Sequence, residues 1–258
     1  MIDQAADAIW HDTKRGKHMP AHLLGKLSLP DAYAVQLAVL KRRVAEGETH
    51  AGWKVGLTAA ALRDRLGVAE PVFGYLTGEG SAPSGASFTF GSLIKPAIEP
   101  ELCLTLGETL RGADVTLVDA ARAIATVQPA LELVEGRADF QNQMPLSVAD
   151  NVQHARWVLG RAVPFDATLA LDTVRTELYI NQSLEASATG ATVYGNPLAS
   201  LVWLVGALHR HGLALEAGMK VMTGSFTPTG LPLSAGDTVR ARFEHFGEVT
   251  ASFPAGTQ

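Results

Sequence analysis

The chain has 258 residues, of which 47% are hydrophobic and 18% are charged, and its formal net charge at pH 7 is −5. This length and composition allow a large buried core, in one domain or in a main domain with a small subdomain, and they exclude a disordered or low-complexity protein. The acidic balance argues against a nucleic-acid-binding protein, because the basic residues form no run longer than Lys41, Arg42 and Arg43.

The cysteine content and the apolar runs bear on cellular location. Cys103 is the single cysteine and lies in an apolar segment, which predicts a buried thiol, no intrachain disulfide and a reducing compartment. The first residues lack the basic and apolar regions of a leader, and the longest apolar run, residues 199–208, is too short to cross a bilayer. We therefore expect a cytoplasmic protein without a membrane anchor.

The predicted elements form a mixed α and β fold with helices at the front. Residues 1–50 are predicted to form a helical N-terminal subdomain, and residues 51–258 a mixed α/β catalytic domain. Helical periodicity and capping residues predict helices over residues 2–14, 31–46, 59–66 and 117–125, and from Pro197 to a stop at Gly212.

Alternating apolar residues, separated by turn residues, predict the strands. In chain order they cover residues 53–57, 71–76, 98–106, 127–135, 174–180, 183–187, 219–223, 238–243 and 248–253. Residues 78–85 and 136–150 are predicted to be irregular. The glycines of the first of these stretches lack the spacing of a dinucleotide-binding motif.

The strand predicted over residues 98–106 places two carboxylates on one face. Glu99 and Glu101 alternate with leucine and isoleucine side chains that point the other way. If this face is buried, the two glutamates need a counter-charge, which a metal ion would supply. A solvated edge strand explains the pattern equally well, because Pro100 lacks an N–H group and suits an edge.

Two more charged residues lie in apolar strands. Glu132 is flanked by Leu131 and Leu133, which is too apolar a setting for the surface. Three carboxylates with no nearby histidine or cysteine cluster would suit Mg²⁺, Mn²⁺ or Ca²⁺ rather than zinc. Lys54 would need carboxylate partners if it were buried, although its local pattern slightly favours an edge-strand lysine in water.

Other candidate motifs give weaker signals. Asp150 and Asn151 favour a turn. Thr223 and Ser225 flank a glycine after a strand, and their hydroxyls and the close backbone approach allowed by glycine suit a ligand. The chain has no Gly-x-Ser-x-Gly elbow and no histidine spacing typical of a metal site, which disfavours a serine or cysteine hydrolase.

Six short motifs in sequence order carry a resemblance to a known family. They are residues 52–58 (GWKVGLT), 70–74 (EPVFG), 98–101 (IEPE), 130–134 (ALELV), 148–151 (VADN) and 221–225 (VMTGS). Together they resemble the 2-keto-4-pentenoate hydratase and 4-oxalocrotonate decarboxylase family of the fumarylacetoacetate hydrolase superfamily. The resemblance extends from about residue 52 to residue 253 and so covers most of the chain.

The resemblance implies an α+β fold, with a mixed β-sheet roll of the fumarylacetoacetate hydrolase C-terminal type behind a helical N-terminal part. It implies Mg²⁺ or Mn²⁺ as the cofactor, a small 2-oxo acid as the substrate, and a homo-oligomer. The metal ligands that it implies are Glu99, Glu101 and Glu132. The implied active-site lysine is Lys54, and the implied pocket-lining residues are Thr223 and Ser225.

The implied activity is that of a metal-dependent lyase of the hydratase type, which adds water to an unsaturated 2-oxo acid. The metal would polarise the 2-oxo oxygen, and Lys54 would help to stabilise the negative charge that develops there. A decarboxylase is the close alternative, because Val72 stands where hydratases of this family usually carry an aspartate able to handle protons. Conversely, residues 223–227 are closer to hydratases that act on longer oxo-enoic acids.

Two further alternatives remain open. An acylpyruvate-type carbon–carbon hydrolase would need a His–Glu pair to activate water, and none can be located in the helical N-terminal part. A non-catalytic partner subunit of a hydratase–decarboxylase complex is disfavoured because the three glutamates and the lysine are retained. The chain also departs from the family pattern at Gln153 and His154, where small residues are usual; a pocket position and a surface position are equally compatible with both residues.

Overall fold

The computed structural model describes residues 1–256. In this range the helices are α1 (Ile2–Thr13), α2 (Leu29–Ala45), α3 (Ala60–Leu66), α4 (Leu117–Ala123), α5 (Met144–Ala149) and α6 (Pro197–Arg210). The strands are β1 (His50–Gly56), β2 (Val72–Thr77), β3 (Ser81–Pro83), β4 (Ala86–Ser87), β5 (Pro96–Leu106), β6 (Ile124–Glu135), β7 (His154–Leu159), β8 (Val163–Pro164), β9 (Arg175–Ile180), β10 (Ser183–Thr189), β11 (Lys220–Met222), β12 (Leu231–Pro232), β13 (Asp237–Phe243) and β14 (Gly247–Phe253).

These strands form two mixed sheets. The larger sheet has the order β2-β1-β11-β5-β6-β7-β3, with β12 beside β5 and β8 beside β6. Within it β1 and β11 are parallel, whereas β5 and β6 are antiparallel along their whole length. The smaller sheet has the order β10-β9-β13-β14-β4, and its strands β13 and β14 pack against β6. The prediction of a mixed α and β fold is therefore confirmed.

The N-terminal helices pack on the larger sheet. Helix α2 begins at Leu29 because Ser28 and Asp31 form a capping box, in which each side chain accepts a hydrogen bond from the other residue's backbone. Pro30 fits the first turn, where its missing N–H group has no helical partner. The buried faces of α1 and α2 belong to the same continuous hydrophobic cluster as the large sheet.

Strand β5 divides two clusters of buried side chains. Its isoleucine and leucines belong to the main core, whereas Cys103 lies on the opposite face in a smaller cluster with Leu76, Ala130, Trp157 and Met222. The alternation predicted for this strand is confirmed, and so is the buried thiol of Cys103.

The interpretation of β5 as a solvated edge strand is wrong, because β5 pairs with β6 on one side and with β11 and β12 on the other. Pro100 lies where the second side is interrupted between β11 and β12, and its carbonyl accepts a hydrogen bond from the N–H of Phe226. The N–H and C=O groups of a strand residue point to the same side. The missing N–H therefore faces the interruption and breaks no ladder.

The predicted helices and strands are all present, with ends shifted by three residues at most. Two irregular stretches were predicted wrongly, since residues 136–150 contain α5 and residues 78–85 contain β3. Strand β7 was not predicted either. Helix α5 has only six residues, and it is stabilised by contact with α2, where Gln36 donates a 2.7 Å hydrogen bond to the carbonyl of Val148. Such a contact leaves no local sequence signal.

Helix α6 lies in a long apolar segment of the chain. The segment Gly190–Arg210 has 21 residues, and by length and composition alone it could cross a membrane. Only Pro197–Arg210 is α-helical, and Leu201, Leu204 and Leu208 are fully buried in the protein core. This is the packing of a core helix.

Candidate metal centre and active site

Three glutamates converge on one face of the larger sheet. Glu99 and Glu132 are direct cross-strand partners on β5 and β6, and Glu101 follows Glu99 on the same face. One carboxylate oxygen from each residue lies within 4.8 Å of the other two. Glu101 and Glu132 are 0% and 1% exposed, and Glu99 is half-buried. The three side chains predicted as metal ligands are thus brought together in one cluster.

The hydrogen bonds leave two of these buried oxygens free. Glu101 Oε2 accepts a 2.8 Å hydrogen bond from the N–H of Gly224, whereas Glu101 Oε1 has no partner among the described residues. Glu132 Oε1 lies 3.2 Å from Lys54 Nζ and 2.7 Å from His154 Nδ1, whereas Glu132 Oε2 has none. Buried carboxylate oxygens are normally satisfied. The two free oxygens therefore fit an oxygen-ligated divalent cation such as Mg²⁺, Mn²⁺ or Ca²⁺.

The charges of the cluster are unbalanced in the protein alone. Burial, helped by the nearby Glu132, raises the pKa of Glu99 to about 7. Burial and both neighbouring carboxylates raise the pKa of Glu101 well above its usual value. Burial would also raise the pKa of Glu132, but Lys54 and His154 outweigh it and lower this pKa to about 2. One lysine is too little positive charge for three carboxylates, and a divalent cation would correct the imbalance.

Lys54 is a buried part of this site. It is 2% exposed and lies on β1, which is paired on both sides, with β2 and β11. Its ammonium contacts Glu132 and, at 3.5 Å, the carbonyl of Val152. Gly74 leaves room for the lysine, because a Cβ there would lie 3.2 Å from Lys54 Cε. The interpretation of Lys54 as an edge-strand lysine in water is therefore wrong.

Val72 lies opposite Gly56 in the pairing of β2 with β1, and it is 1% exposed. A Cβ at Gly56 would lie 3.3 Å from Val72 Cγ2, 3.5 Å from Val152 Cγ1 and 3.7 Å from Lys54 Nζ. The two valines and the lysine ammonium thus all border the space beside Gly56. Neither of these aliphatic side chains can give or take a proton.

Thr223 and Ser225 bracket the glycine that contacts Glu101. The Thr223 hydroxyl is fully buried and donates a 3.0 Å hydrogen bond to the carbonyl of Leu102. The Ser225 hydroxyl is 2.8 Å from that of Thr227, and Ser225 is 9% exposed. Thr223 therefore anchors the segment, whereas Ser225 lies closer to solvent.

The segment after α5 contributes one contact to the site, at a residue for which the sequence left a pocket position and a surface position open. Asn151 bonds to the backbone of Tyr75 through both ends of its amide, and Gln153 donates a 2.9 Å hydrogen bond to the Ser147 hydroxyl. Both residues are therefore structural, as the turn interpretation predicts for Asn151. His154, in contrast, contacts Glu132 and has a side chain only 7% exposed. The sequence signal was the presence of a larger residue where the family usually has a small one.

His154 also borders a cavity of about 630 Å³ between the N-terminal helices and β7. Arg43, Tyr75, Arg137 and Arg156 are among the other lining residues, and the three clustered glutamates are not. Arg137 is tied down, with Nε 2.7 Å from Asp150 and Nη1 3.0 Å from Glu135. His154 thus contacts the carboxylate cluster and also borders this cavity.

The mixed sheet and its buried carboxylate cluster define a candidate metal-dependent enzyme. The chain belongs to the fumarylacetoacetate hydrolase family, since the family model for the fumarylacetoacetate (FAA) hydrolase C-terminal domain matches residues 61–253.

The individual relatives to which the chain is similar are hydratases and decarboxylases. The chain is 31% identical to the TodF product hydratase of Pseudomonas putida strain F1, over 98% of this chain and 95% of that protein. It is 32% identical to the 2-oxo-hept-4-ene-1,7-dioate hydratase of Escherichia coli, over 88% of both proteins. Among solved structures, 4-oxalocrotonate decarboxylase from Pseudomonas putida G7, complexed with magnesium and adipate, is 29% identical. Its TM-score is 0.91, and the match covers 98% of this chain and 97% of that one.

These findings confirm three predictions. The chain is a member of the hydratase and decarboxylase family, its fold is of the fumarylacetoacetate hydrolase type, and it falls among lyases. The magnesium in the solved relative supports a divalent metal for proteins of this fold.

Proposed function

We propose that the chain is a metal-dependent lyase of the hydratase type that acts on unsaturated 2-oxo acids, with Mg²⁺ or Mn²⁺ held by Glu99, Glu101 and Glu132. The observation that carries this proposal is the buried cluster of three carboxylates with two unpaired oxygens beside Lys54. The hydratase names of two relatives support the reaction class. When bound, the ion would act as a Lewis acid on the 2-oxo oxygen of the substrate.

The chain's own residues prepare the site for an anionic substrate. Two donors, Lys54 and His154, meet at Oε1 of Glu132, and the N–H of Gly224 orients Glu101. A lysine ammonium has three N–H donors, and two of those on Lys54 face Glu132 and the Val152 carbonyl. We assign the third to stabilising negative charge that develops on the substrate.

The hydroxyl residues take separate roles in this proposal. Thr223, whose hydroxyl is bonded to Leu102, holds the segment that carries Gly224 against β5. Ser225 is assigned to the pocket lining, because it is the more exposed of the two.

A decarboxylase is the second candidate, and Val72 is the observation that favours it. The valine is buried, borders the space beside Gly56 that the Lys54 ammonium also borders, and offers no proton to a reacting carbon or water. Decarboxylation needs an electron sink but no positioned water. An apolar side chain such as Val72 is therefore compatible with this reaction. The similarity to 4-oxalocrotonate decarboxylase agrees with this alternative.

To distinguish the hydratase from the decarboxylase, the purified chain is incubated with Mg²⁺ or Mn²⁺ and with either 2-hydroxypenta-2,4-dienoate or 4-oxalocrotonate. Mass spectrometry measures the gain of one water, and a coupled assay measures carbon dioxide. Hydrated product without carbon dioxide supports the hydratase, and the reverse result supports the decarboxylase. Turnover of neither substrate with either metal would refute both assignments.

The variant Val72→Asp separates the two reactions further. It introduces a carboxylic acid into the space beside Gly56, which the Lys54 ammonium also borders, so we expect the ratio of hydration to decarboxylation to rise. Val72→Leu is the matched control, since it changes the shape of the wall without adding a titratable group. An equal ratio in the two variants would remove Val72 from the choice of reaction.

Several wider expectations accompany the proposal. We propose that residues 1–50 form a helical subdomain in front of a catalytic domain of residues 51–258, and that the protein is a cytoplasmic homo-oligomer. A complex with a hydratase or decarboxylase partner is a further proposal from the family resemblance. Light scattering of the purified chain, alone and mixed with a candidate partner, measures both kinds of assembly.

A further inference from the structure

The turn directly before His154, which places this residue beside the carboxylate cluster, has an unusual backbone conformation. Asn151, Val152 and Gln153 have φ angles of 57°, 53° and 60°, which is three consecutive non-glycine residues in the left-handed region. A β-branched residue such as valine is especially disfavoured there. Backbone strain of this kind persists only where the surroundings fix it, and it concentrates at functional sites.

Two amide side chains fix this turn. Asn151 donates a 3.0 Å hydrogen bond to the Tyr75 carbonyl and accepts one of 2.8 Å from the Tyr75 N–H. Gln153 donates to the Ser147 hydroxyl and accepts a 3.1 Å hydrogen bond from the backbone N–H of Arg137. The turn is therefore held from both ends, and its direction is determined.

The chain leaves the turn at His154 and enters β7 next to an irregularity in the pairing of β6 and β7, between Leu133 and Val134. A bulge of this kind redirects a side chain. Here Nδ1 of His154 lies 2.7 Å from Oε1 of Glu132, the same oxygen that Lys54 contacts. A carboxylate accepts only, so Nδ1 carries the hydrogen of this bond.

We propose that His154 is a positioning residue for the metal centre, because its Nδ1–H group fixes Glu132 with the unpaired oxygen Oε2 directed into the carboxylate cluster. This inference rests on the proposed function, since it presumes that the cluster binds a divalent ion. A hydrogen bond from outside the ligand set orients a ligand and tunes metal affinity, and its loss typically weakens binding by about 10- to 100-fold.

The test is titration with Mn²⁺, followed by calorimetry and by the electron paramagnetic resonance spectrum of the bound ion. We expect His154→Ala to weaken Mn²⁺ binding about 10- to 100-fold and to alter the spectrum. His154→Asn keeps a side-chain N–H near the position of Nδ1, so it should recover most of the affinity. His18→Ala is the matched control, because His18 borders the same cavity and has no contact with Glu132.

Unchanged Mn²⁺ affinity and spectrum in His154→Ala would overturn the inference, as would equal loss in His154→Ala and His154→Asn. If thermal unfolding shows that His154→Ala does not fold, His154→Leu takes its place and the comparison with His154→Asn decides. Failure of the unmodified chain to bind Mn²⁺ at all would instead refute the proposed function, so the two failures are distinct.

Discussion

Replacing Lys54 by methionine tests how the carboxylate cluster is stabilised without metal. Methionine keeps most of the apolar stem and removes the charge. The Lys54 ammonium lies 3.2 Å from Glu132, and the two side chains are 3% and 1% exposed. Removing one partner of a buried ion pair leaves an unpaired buried charge and costs about 3–5 kcal/mol. For a chain of this size, that loss lowers the melting temperature by roughly 6–20 °C.

The measurement is thermal denaturation followed by circular dichroism, first in EDTA and then in saturating Mg²⁺. We expect the full loss in EDTA and a smaller one in Mg²⁺, because the ion supplies the missing positive charge. Lys220→Met is the matched control, since Lys220 lies on the neighbouring strand β11 and has no ion pair within residues 1–256. Equal melting temperatures of Lys54→Met and the unmodified chain in EDTA would show that the Lys54 charge does not stabilise the cluster. A loss that Mg²⁺ does not reduce would show that the ion does not replace this charge.

Two further predictions concern the same site. Gly224→Ala should lower the melting temperature by more than Gly218→Ala. Both glycines have a positive φ, of 112° and 85° respectively. Only at Gly224, however, would an added Cβ overlap a side chain, which is that of Thr58. Equal melting temperatures of the two variants would contradict this. In EDTA, the free energy of unfolding should fall as the pH rises from about 4.5 towards 7. The pKa of Glu99 is raised to about 7 in the folded chain, so over this range the folded chain binds a proton that the unfolded chain releases. The lowered pKa of Glu132 acts below that window, where stability should fall with falling pH. Saturating Mg²⁺ should remove the first dependence, and a flat pH profile of denaturation in EDTA would contradict it.

Local sequence patterns were enough to find the three glutamates. Side chains alternate along a strand, so the spacing of Glu99 and Glu101 placed them on one face, and the leucines beside Glu132 marked it as buried. The three carboxylates meet because of the register in which β5 pairs with β6. The alternation of side chains along each strand does not predict this register. Their apolar setting and shared acidic chemistry suggested one oxygen-ligated site, and the family resemblance implied the same three residues as metal ligands.

The environment of Lys54 depends on a partner far away in the chain. Strand β1 is internal because residues 52–54 pair with residues 220–222, and the local pattern of β1 is the same whether or not that pairing forms. The position of His154 likewise depends on a left-handed turn and on an irregular strand pairing. Propensity and periodicity carry no information about either feature, so a buried lysine and a histidine contact were the parts of the site least accessible from sequence.

One divalent ion bound by Glu99, Glu101 and Glu132 together is the basis of the proposed function. Isothermal titration of the metal-free chain with Mg²⁺ and with Mn²⁺ tests it most directly, with Glu132→Ala as the variant and Glu135→Ala as the control. Glu135 lies on the same strand, but its carboxylate pairs with Arg137 outside the cluster. We expect one ion per chain in the unmodified protein and in the control, and no measurable binding in Glu132→Ala, because an unpaired Lys54 would then repel the cation. Unchanged affinity in Glu132→Ala would show that Glu132 is not a metal ligand.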